Sequence, residues 1–89
     1  MRYRAAPASA LLVQPLDSFT AVFHRASGIT HLLAEPAPEI LAVLSDETLT
    51  LDDVLARLGD RYEMLDADPS ALAARLEELV AAGLVEDLA

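Results

Sequence analysis

The apolar pattern of this chain changes its period once, near residue 34, and that change limits the folds open to it. Residues 10–16 (ALLVQPL) are apolar and contain a proline, which predicts a short edge strand. Residues 19–25 alternate with a period of two, as strands do. Beyond residue 34 the apolar residues recur at i, i+3, i+4 and i+7, which is typical of amphipathic helices. The sequence therefore predicts an α+β fold, with an N-terminal antiparallel sheet followed by helices.

The only hairpin signal is Ser27-Gly28, which separates FTAVFHR from ITHLL. This dipeptide can supply the positive φ angles of a two-residue turn. A loop of that length predicts that Ala26 faces Ile29, because turn length sets the register of a hairpin. The further pairs that follow are His24–His31, Phe23–Leu32 and Val22–Leu33.

The same alternation predicts which side of the hairpin is buried. Phe19, Phe23 and Leu32 share one face, and we expect that face to lie on the core. His24 and His31 then lie side by side on the opposite face. Two histidines are too few for a tight metal site, so they are expected to face solvent.

Three helices are predicted after residue 34. The first has the stripe Ala37, Ile40, Leu41 and Leu44, with a proline in its first turn. The second has the stripe Leu51, Val54, Leu55 and Leu58, preceded by a Thr50/Asp53 capping box. This helix reaches Gly59, and the acidic stretch GDRYEMLDAD either extends it or forms a packed loop.

The third helix has signals at both of its ends. Asp68-Pro69 predicts an N-cap followed by proline at the first helical position, and Gly83 predicts the end. Leu84 and Val85 are expected to fold back on the last turn. The buried stripe consists of Leu72, Leu76, Leu79 and Val80.

Length and composition predict a single domain over residues 10–89, preceded by a flexible segment over residues 1–9. The chain has 89 residues, of which 54% are hydrophobic, so it is expected to fold around a small core. It contains no cysteine, and its first apolar run is too short for a signal peptide or a membrane span. The expected location is the cytoplasm, without membrane association.

The charge is distributed unevenly. Residues 1–34 contain three arginines and one aspartate, a net charge of +2, whereas residues 35–89 contain three arginines and fourteen acids, a net charge of −11. A nucleic-acid-binding protein needs a basic face that displaces counterions from phosphates. Nucleic acid is therefore not expected as a partner.

No motif predicts catalysis. The neighbouring carboxylate pairs, such as Glu77 and Glu78, point about 100° apart on a helix and do not share a site. The serines lie at turns or caps outside any G-x-S-x-G elbow, and the three glycines stand apart. We therefore expect no enzyme activity, no metal and no cofactor.

The order of these segments resembles a known family. SGITHLL, followed by EILAVLSD, LTLDDVLARLGDRYE and SALAARLEELVAAGLVE, is similar to the PqqD family, the peptide chaperones also called RiPP recognition elements. The likeness covers residues 11–86, and its SG-x-THLL wording most resembles PqqD-like proteins of clusters with an HPr-kinase-related protein. Ala34-Glu35 departs from the Asn or Asp that many members have before helix one.

The resemblance implies a winged-helix-like fold with three strands packed on three helices. It also implies a peptide-binding adaptor, to whose third strand a precursor's leader segment adds as a further strand. A peptide-modifying enzyme, HPr-kinase-related or radical-SAM, is the second implied partner. The implied peptide-binding residues are Ile29, Thr30, His31, Leu32, Leu33, Leu72, Arg75, Leu76 and Leu79.

Two other classes stay open at this point. LEELVAAGLVED resembles the end of the recognition helix in winged-helix DNA-binding domains, but residues 69–83 carry only Arg75 beside two glutamates. The third class is a dimerisation module, a homodimer whose exposed strand pairs with itself across a two-fold axis.

Overall fold

The computed structural model of the protein describes residues 2–45, 47–62 and 68–88. It has four strands, three helices and two further short strands, with a 3₁₀ turn at Ala8–Ala10. In chain order these are β1 (Arg2–Ala5), β2 (Leu11–Pro15), β3 (Thr20–His24), β4 (Ile29–Leu33), α1 (Ala37–Leu44), β5 (Leu49–Thr50), α2 (Leu51–Tyr62), α3 (Pro69–Ala81) and β6 (Val85–Asp87). The predicted α+β architecture, a three-stranded antiparallel sheet followed by helices, is confirmed.

The strands form two separate sheets of three strands each. The first, which we call the meander sheet, has the order β2–β3–β4 and is antiparallel throughout. The second, which we call the closing sheet, has the order β5–β1–β6. The meander sheet corresponds to the three predicted strands, whereas the closing sheet assembles segments that are far apart in sequence.

The closing sheet corrects the expectation of a flexible segment over residues 1–9. Arg2–Ala5 is its central strand, and Tyr3 and Ala5 are buried. Tyr3 is opposite Leu49 on one side and Asp87 on the other. A four-residue segment shows little periodicity, and its partners lie more than 40 residues away, so local sequence did not predict this strand.

The three predicted helices form, and two of their predicted caps are present. In α2 the N–H of Asp53 donates to Oγ1 of Thr50 over 3.2 Å, and the N–H of Thr50 donates to the Asp53 carboxylate over 3.4 Å. The Asp68 carboxylate accepts from the N–H of Ser70 over 3.0 Å at the start of α3. Helix α2 continues through Gly59 to Tyr62, and residues 63–67 lie outside the described residues.

The core lies between the helices and the closing sheet. Each predicted helical stripe contributes to it, and β3 of the meander sheet contributes Val22. The fully buried large side chains are Ile40, Leu44, Leu58, Leu76, Leu84, Val22, Val43 and Val54. The meander sheet is therefore attached to the core through one of its faces.

Helix α3 ends as its sequence predicts. Gly83 has a φ of 80°, and its N–H donates to the C=O of Val80 over 3.0 Å. The N–H of Leu84 donates to the C=O of Leu79 over 3.0 Å, which completes a Schellman motif. Leu84 and Val85 are both buried, so the chain folds back directly into β6.

Substitution of Gly83 by alanine is expected to destabilise the protein by about 1–2 kcal/mol, because its positive φ disfavours a Cβ atom. That Cβ would also lie 3.4 Å from Nε2 of His24. The matched control is Gly59→Ala, inside α2 with no heavy atom within 4 Å of the added Cβ, which should stabilise by about 0.5–1 kcal/mol. Urea denaturation measures the change in the free energy of unfolding for both variants. A change of the same sign in both would contradict this role of Gly83.

Candidate functional site

The β3–β4 hairpin has a four-residue loop, not the predicted two-residue turn. His24 is opposite Ile29, and the N–H of Gly28 donates to the C=O of His24 over 2.8 Å. Gly28 has a φ of 71°, the left-handed conformation that glycine adopts without strain. The predicted pairs His24–His31, Phe23–Leu32 and Val22–Leu33 are therefore wrong by two residues. The observed pairs are His24–Ile29, Phe23–Thr30, Val22–His31, Ala21–Leu32 and Thr20–Leu33.

Side-chain hydrogen bonds account for the longer loop. Nδ1 of His24 lies 2.8 Å from Oγ of Ser27, and the N–H of Ser27 points at the same nitrogen over 3.3 Å. The Ser27 hydroxyl also accepts from the N–H of Ile29 over 3.3 Å. The side chain of Ser27 thus closes the loop. A turn predicted from the Ser-Gly dipeptide alone does not take these side-chain hydrogen bonds into account.

The buried face of the hairpin is the opposite of the one predicted. Val22, on the histidine face, is fully buried, whereas Phe19 and Leu32 are exposed. His24 packs against Gly83 at the end of α3. His31 also faces inward, and its Nε2 is buried without a hydrogen-bond partner among the described residues. Both faces of β3 carry apolar side chains, so the alternation alone did not decide which face the helices cover.

Backbone hydrogen bonds show how each residue of β3 is oriented. The N–H of Arg25 donates to the C=O of Ala10 over 2.9 Å, toward β2. The C=O of the preceding residue, His24, accepts from Gly28, toward β4. The N–H and C=O groups of successive residues in a strand point alternately to one neighbouring strand and to the other. Those of the even-numbered residues of β3 therefore point toward β4.

The outer edge of β4 follows from the register. Because His24 is opposite Ile29, the N–H and C=O groups of Ile29, His31 and Leu33 point toward β3. The N–H and C=O groups of Thr30 and Leu32 therefore point away from the meander sheet. Strand β4 is last in the sheet order, and none of the described residues pairs with its outer side. The predicted open strand is present, and the two-residue shift leaves its outward residues unchanged.

The opposite edge, on β2, offers fewer free groups. By the same alternation Leu11, Val13 and Pro15 point outward from β2. The N–H of Leu11 donates to the C=O of Ala8, and Pro15 has no N–H. Val13 is thus the one residue of β2 with a free outward donor, whereas β4 has two such donors.

Helix α3 does not expose the leucines that the resemblance implied as peptide contacts. Leu72, Leu76 and Leu79 belong to the buried core, so a peptide on the surface does not reach their side chains. Arg75 is exposed and forms an ion pair with Glu78 on the same helix. Of the four helix residues implied by the resemblance, only Arg75 is accessible. The β4 residues Ile29, Thr30 and Leu32 are exposed, and His31 and Leu33 are partly buried.

Sequence reasoning missed a pocket of about 720 Å³ between the meander sheet and α1. Its walls include Leu11, Val13 and Val22 on the sheet and Leu41 and Ala42 on the helix. The run of small residues at positions 5–8 also lines the pocket. The sequence feature that indicates this pocket is the alanine-rich run, which lies within residues 1–9 that the sequence predicts to be flexible.

Two of the described residues have a shifted pKa, and both lie outside the meander sheet. Burial raises the pKa of Tyr3, and the carboxylates of Asp87 and Glu77 raise it further. Burial also raises the pKa of Glu39; a backbone hydrogen bond offsets part of this rise, and the Glu35 carboxylate adds to it.

The described residues contain neither a metal-binding cluster nor a membrane-spanning helix. Among them, no cluster of three or more His, Asp or Glu side chains is placed to hold a metal ion. None of the helices in the described ranges has the length and apolar content needed to cross a bilayer. No protein-family model, curated protein or solved structure matches the chain.

Proposed function

We propose that this protein is a peptide-binding adaptor that captures the leader segment of a ribosomally made precursor peptide by strand addition to β4. The observation that carries the proposal is the open edge of β4, where Thr30 and Leu32 present two N–H and two C=O groups outward. An added strand satisfies these groups with main-chain hydrogen bonds.

Selectivity comes from the side chains on either side of the edge. Alternate residues of an added strand lie next to Leu32 on the exposed face, which favours apolar residues there. The other residues lie near the inward face, beside His31 and Leu33. Arg75 is the accessible cation on α3, and its exposed pair with Glu78 is weak enough to exchange for an acidic peptide residue. Binding of micromolar order, about −8 kcal/mol, suits so short an edge.

The PqqD-like, winged-helix interpretation of the sequence is part of this proposal. In it the adaptor performs no chemistry itself but delivers the precursor to a modifying enzyme of the same cluster, HPr-kinase-related or radical-SAM, in the cytoplasm. The support is the succession of an open-edged meander sheet and three helices.

The test is Thr30→Pro, which removes one outward donor without removing a bond of the β3–β4 ladder. We expect it to weaken binding of precursor peptides encoded beside this protein by at least about tenfold, measured by calorimetric titration. The matched control is Val13→Pro, which removes the outward donor on the opposite edge. It should change the affinity less than about twofold.

Three results would contradict strand addition at β4. Unchanged affinity in a folded Thr30→Pro variant would exclude this edge. Loss of affinity in Val13→Pro alone would move the peptide to β2 and the pocket beside it. Salt-sensitive binding of duplex DNA in a mobility-shift assay would favour the DNA-binding class instead.

A further inference from the structure

The meander sheet has an outer face that the described part of the chain leaves uncovered. We define this face as Leu12, Gln14, Leu16, Phe19, Ala21, Phe23, Thr30 and Leu32, which share one side by the observed register. It contains no charged residue. Four of its large apolar side chains are about half exposed or more, from Phe19 at 49% to Leu32 at 64%. Contiguous apolar patches of this kind mark interaction surfaces.

The layer structure explains why this face needs a partner. The inner face of the meander sheet contributes Val22 to the core, whereas none of the described residues forms a second layer on its outer face. Sheets commonly bury such a face against another sheet about 10 Å away. Because this face carries no charge, it does not select a partner of opposite charge. A second copy of the chain presents the same apolar surface and is therefore a chemically matching partner.

The charge distribution selects this face as the place where two copies meet. Each chain carries a net charge of −9, so two copies repel each other through most of their surfaces. The surplus of acids belongs to residues 35–89, whereas residues 1–34 carry +2. The meander sheet, residues 11–33, carries only Asp17 and Arg25 and so has no net charge, and contact through its outer face keeps the acidic helices apart. An anionic membrane would be disfavoured by the same charge.

The ends of the sheet determine the orientation of the two copies. Asp17 lies in the β2–β3 turn at one end, and Arg25 lies in the β3–β4 loop at the other. Both are exposed, and neither forms an ion pair with a described residue. A two-fold axis perpendicular to the strands brings Asp17 of each copy to Arg25 of the other.

From these observations we infer that the protein forms a homodimer in which two meander sheets stack face to face with antiparallel strands. The defined face has eight residues, fewer than the roughly 20–30 per partner of a standard interface, so the dimer is weak and concentration-dependent, with a dissociation constant of micromolar order. The edge of β4 lies in the plane of the sheet and stays open, so this inference does not depend on the proposed peptide binding.

The test compares Leu12→Glu with Val13→Glu by sedimentation velocity of the full chain. The two residues are adjacent in β2 and almost equally exposed, at 56% and 53%, but they lie on opposite faces. We expect wild type and Val13→Glu to convert from monomer to dimer as the protein concentration rises from about 1 to about 500 μM. Leu12→Glu should raise the dissociation constant at least about 100-fold, because two-fold symmetry places two carboxylates in the interface. Circular dichroism checks the fold of each variant, and Phe19→Glu serves as a second outer-face variant.

A charge exchange tests the orientation. Asp17→Arg alone should raise the dissociation constant about 3- to 30-fold, and the Asp17→Arg/Arg25→Asp double variant should restore it to within about threefold. A monomeric wild type throughout the range, or equal effects of Leu12→Glu and Val13→Glu, would overturn the inference. Loss of the dimer in Thr30→Pro alone would also overturn it, since that result assigns the contact to the β4 edge.

Discussion

Replacing Tyr3 with alanine is expected to lower the free energy of unfolding by about 3–5 kcal/mol. Tyr3 is buried on the central strand of the closing sheet and belongs to the hydrophobic core, so its truncation leaves a cavity in the core beside that sheet. A domain of this size has a total stability of roughly 4–13 kcal/mol, so the variant should lose a large share of its stability and unfold at a clearly lower temperature than wild type. Thermal denaturation followed by circular dichroism measures the change.

The control for Tyr3 is its neighbour Arg2, which is exposed on the same strand. Arg2→Ala should change the stability by no more than about 0.5 kcal/mol. A flexible N-terminal segment would make both variants neutral. Equal stability of Tyr3→Ala and wild type would therefore restore the interpretation that the sequence suggested for residues 1–9.

Replacing Leu76 with alanine should lower the free energy of unfolding by about 2–5 kcal/mol. Leu76 is 0% exposed and lies in the core between α3 and its neighbours, whereas the resemblance implied that it contacts a peptide. The matched control is Leu32→Ala on the open strand, where the side chain is 64% exposed and the expected change is below about 0.5 kcal/mol. Urea denaturation separates the two variants.

The same position separates a core role from a binding role. Leu76→Met keeps the volume of the side chain and should cost less than about 1.5 kcal/mol, so the variant stays folded. Its affinity for a precursor peptide should equal that of wild type, because no peptide on the surface reaches the side chain. A folded Leu76→Met protein with weakened peptide binding would return α3 to the binding site.

The strand part of the candidate site, on β4, was predictable from the sequence, whereas the helix part, on α3, was not. The open strand followed from sequence because the run ITHLL comes last before the helices, with no later strand pattern to cover it. Leu72 and Leu79 illustrate the helix part: their spacing predicted a buried stripe, as observed, whereas the resemblance implied that they contact a peptide. Their spacing shows that they share a helix face, but a shared apolar face has the same pattern whether it lies in the core or lines a groove.

The register of the hairpin shows where local chemistry was insufficient. Ser27-Gly28 located the loop, but its length depends on hydrogen bonds of Ser27 to His24 and Ile29 across the loop. The outward direction of Thr30 and Leu32 was still obtained, because a shift of two residues preserves the alternation of a strand.

The sequence by itself determined the elements and their order, because periodicity, caps and turn residues act over a few neighbouring positions. The capping box at Thr50 and the glycine end of α3 at Gly83 are examples. Only the tertiary structure decided that residues 2–5 form a central strand and that the histidine face of the hairpin turns inward. Both outcomes depend on partners that are distant in the chain, and the free energy of burying one face or the other is set by those partners and not by the strand itself.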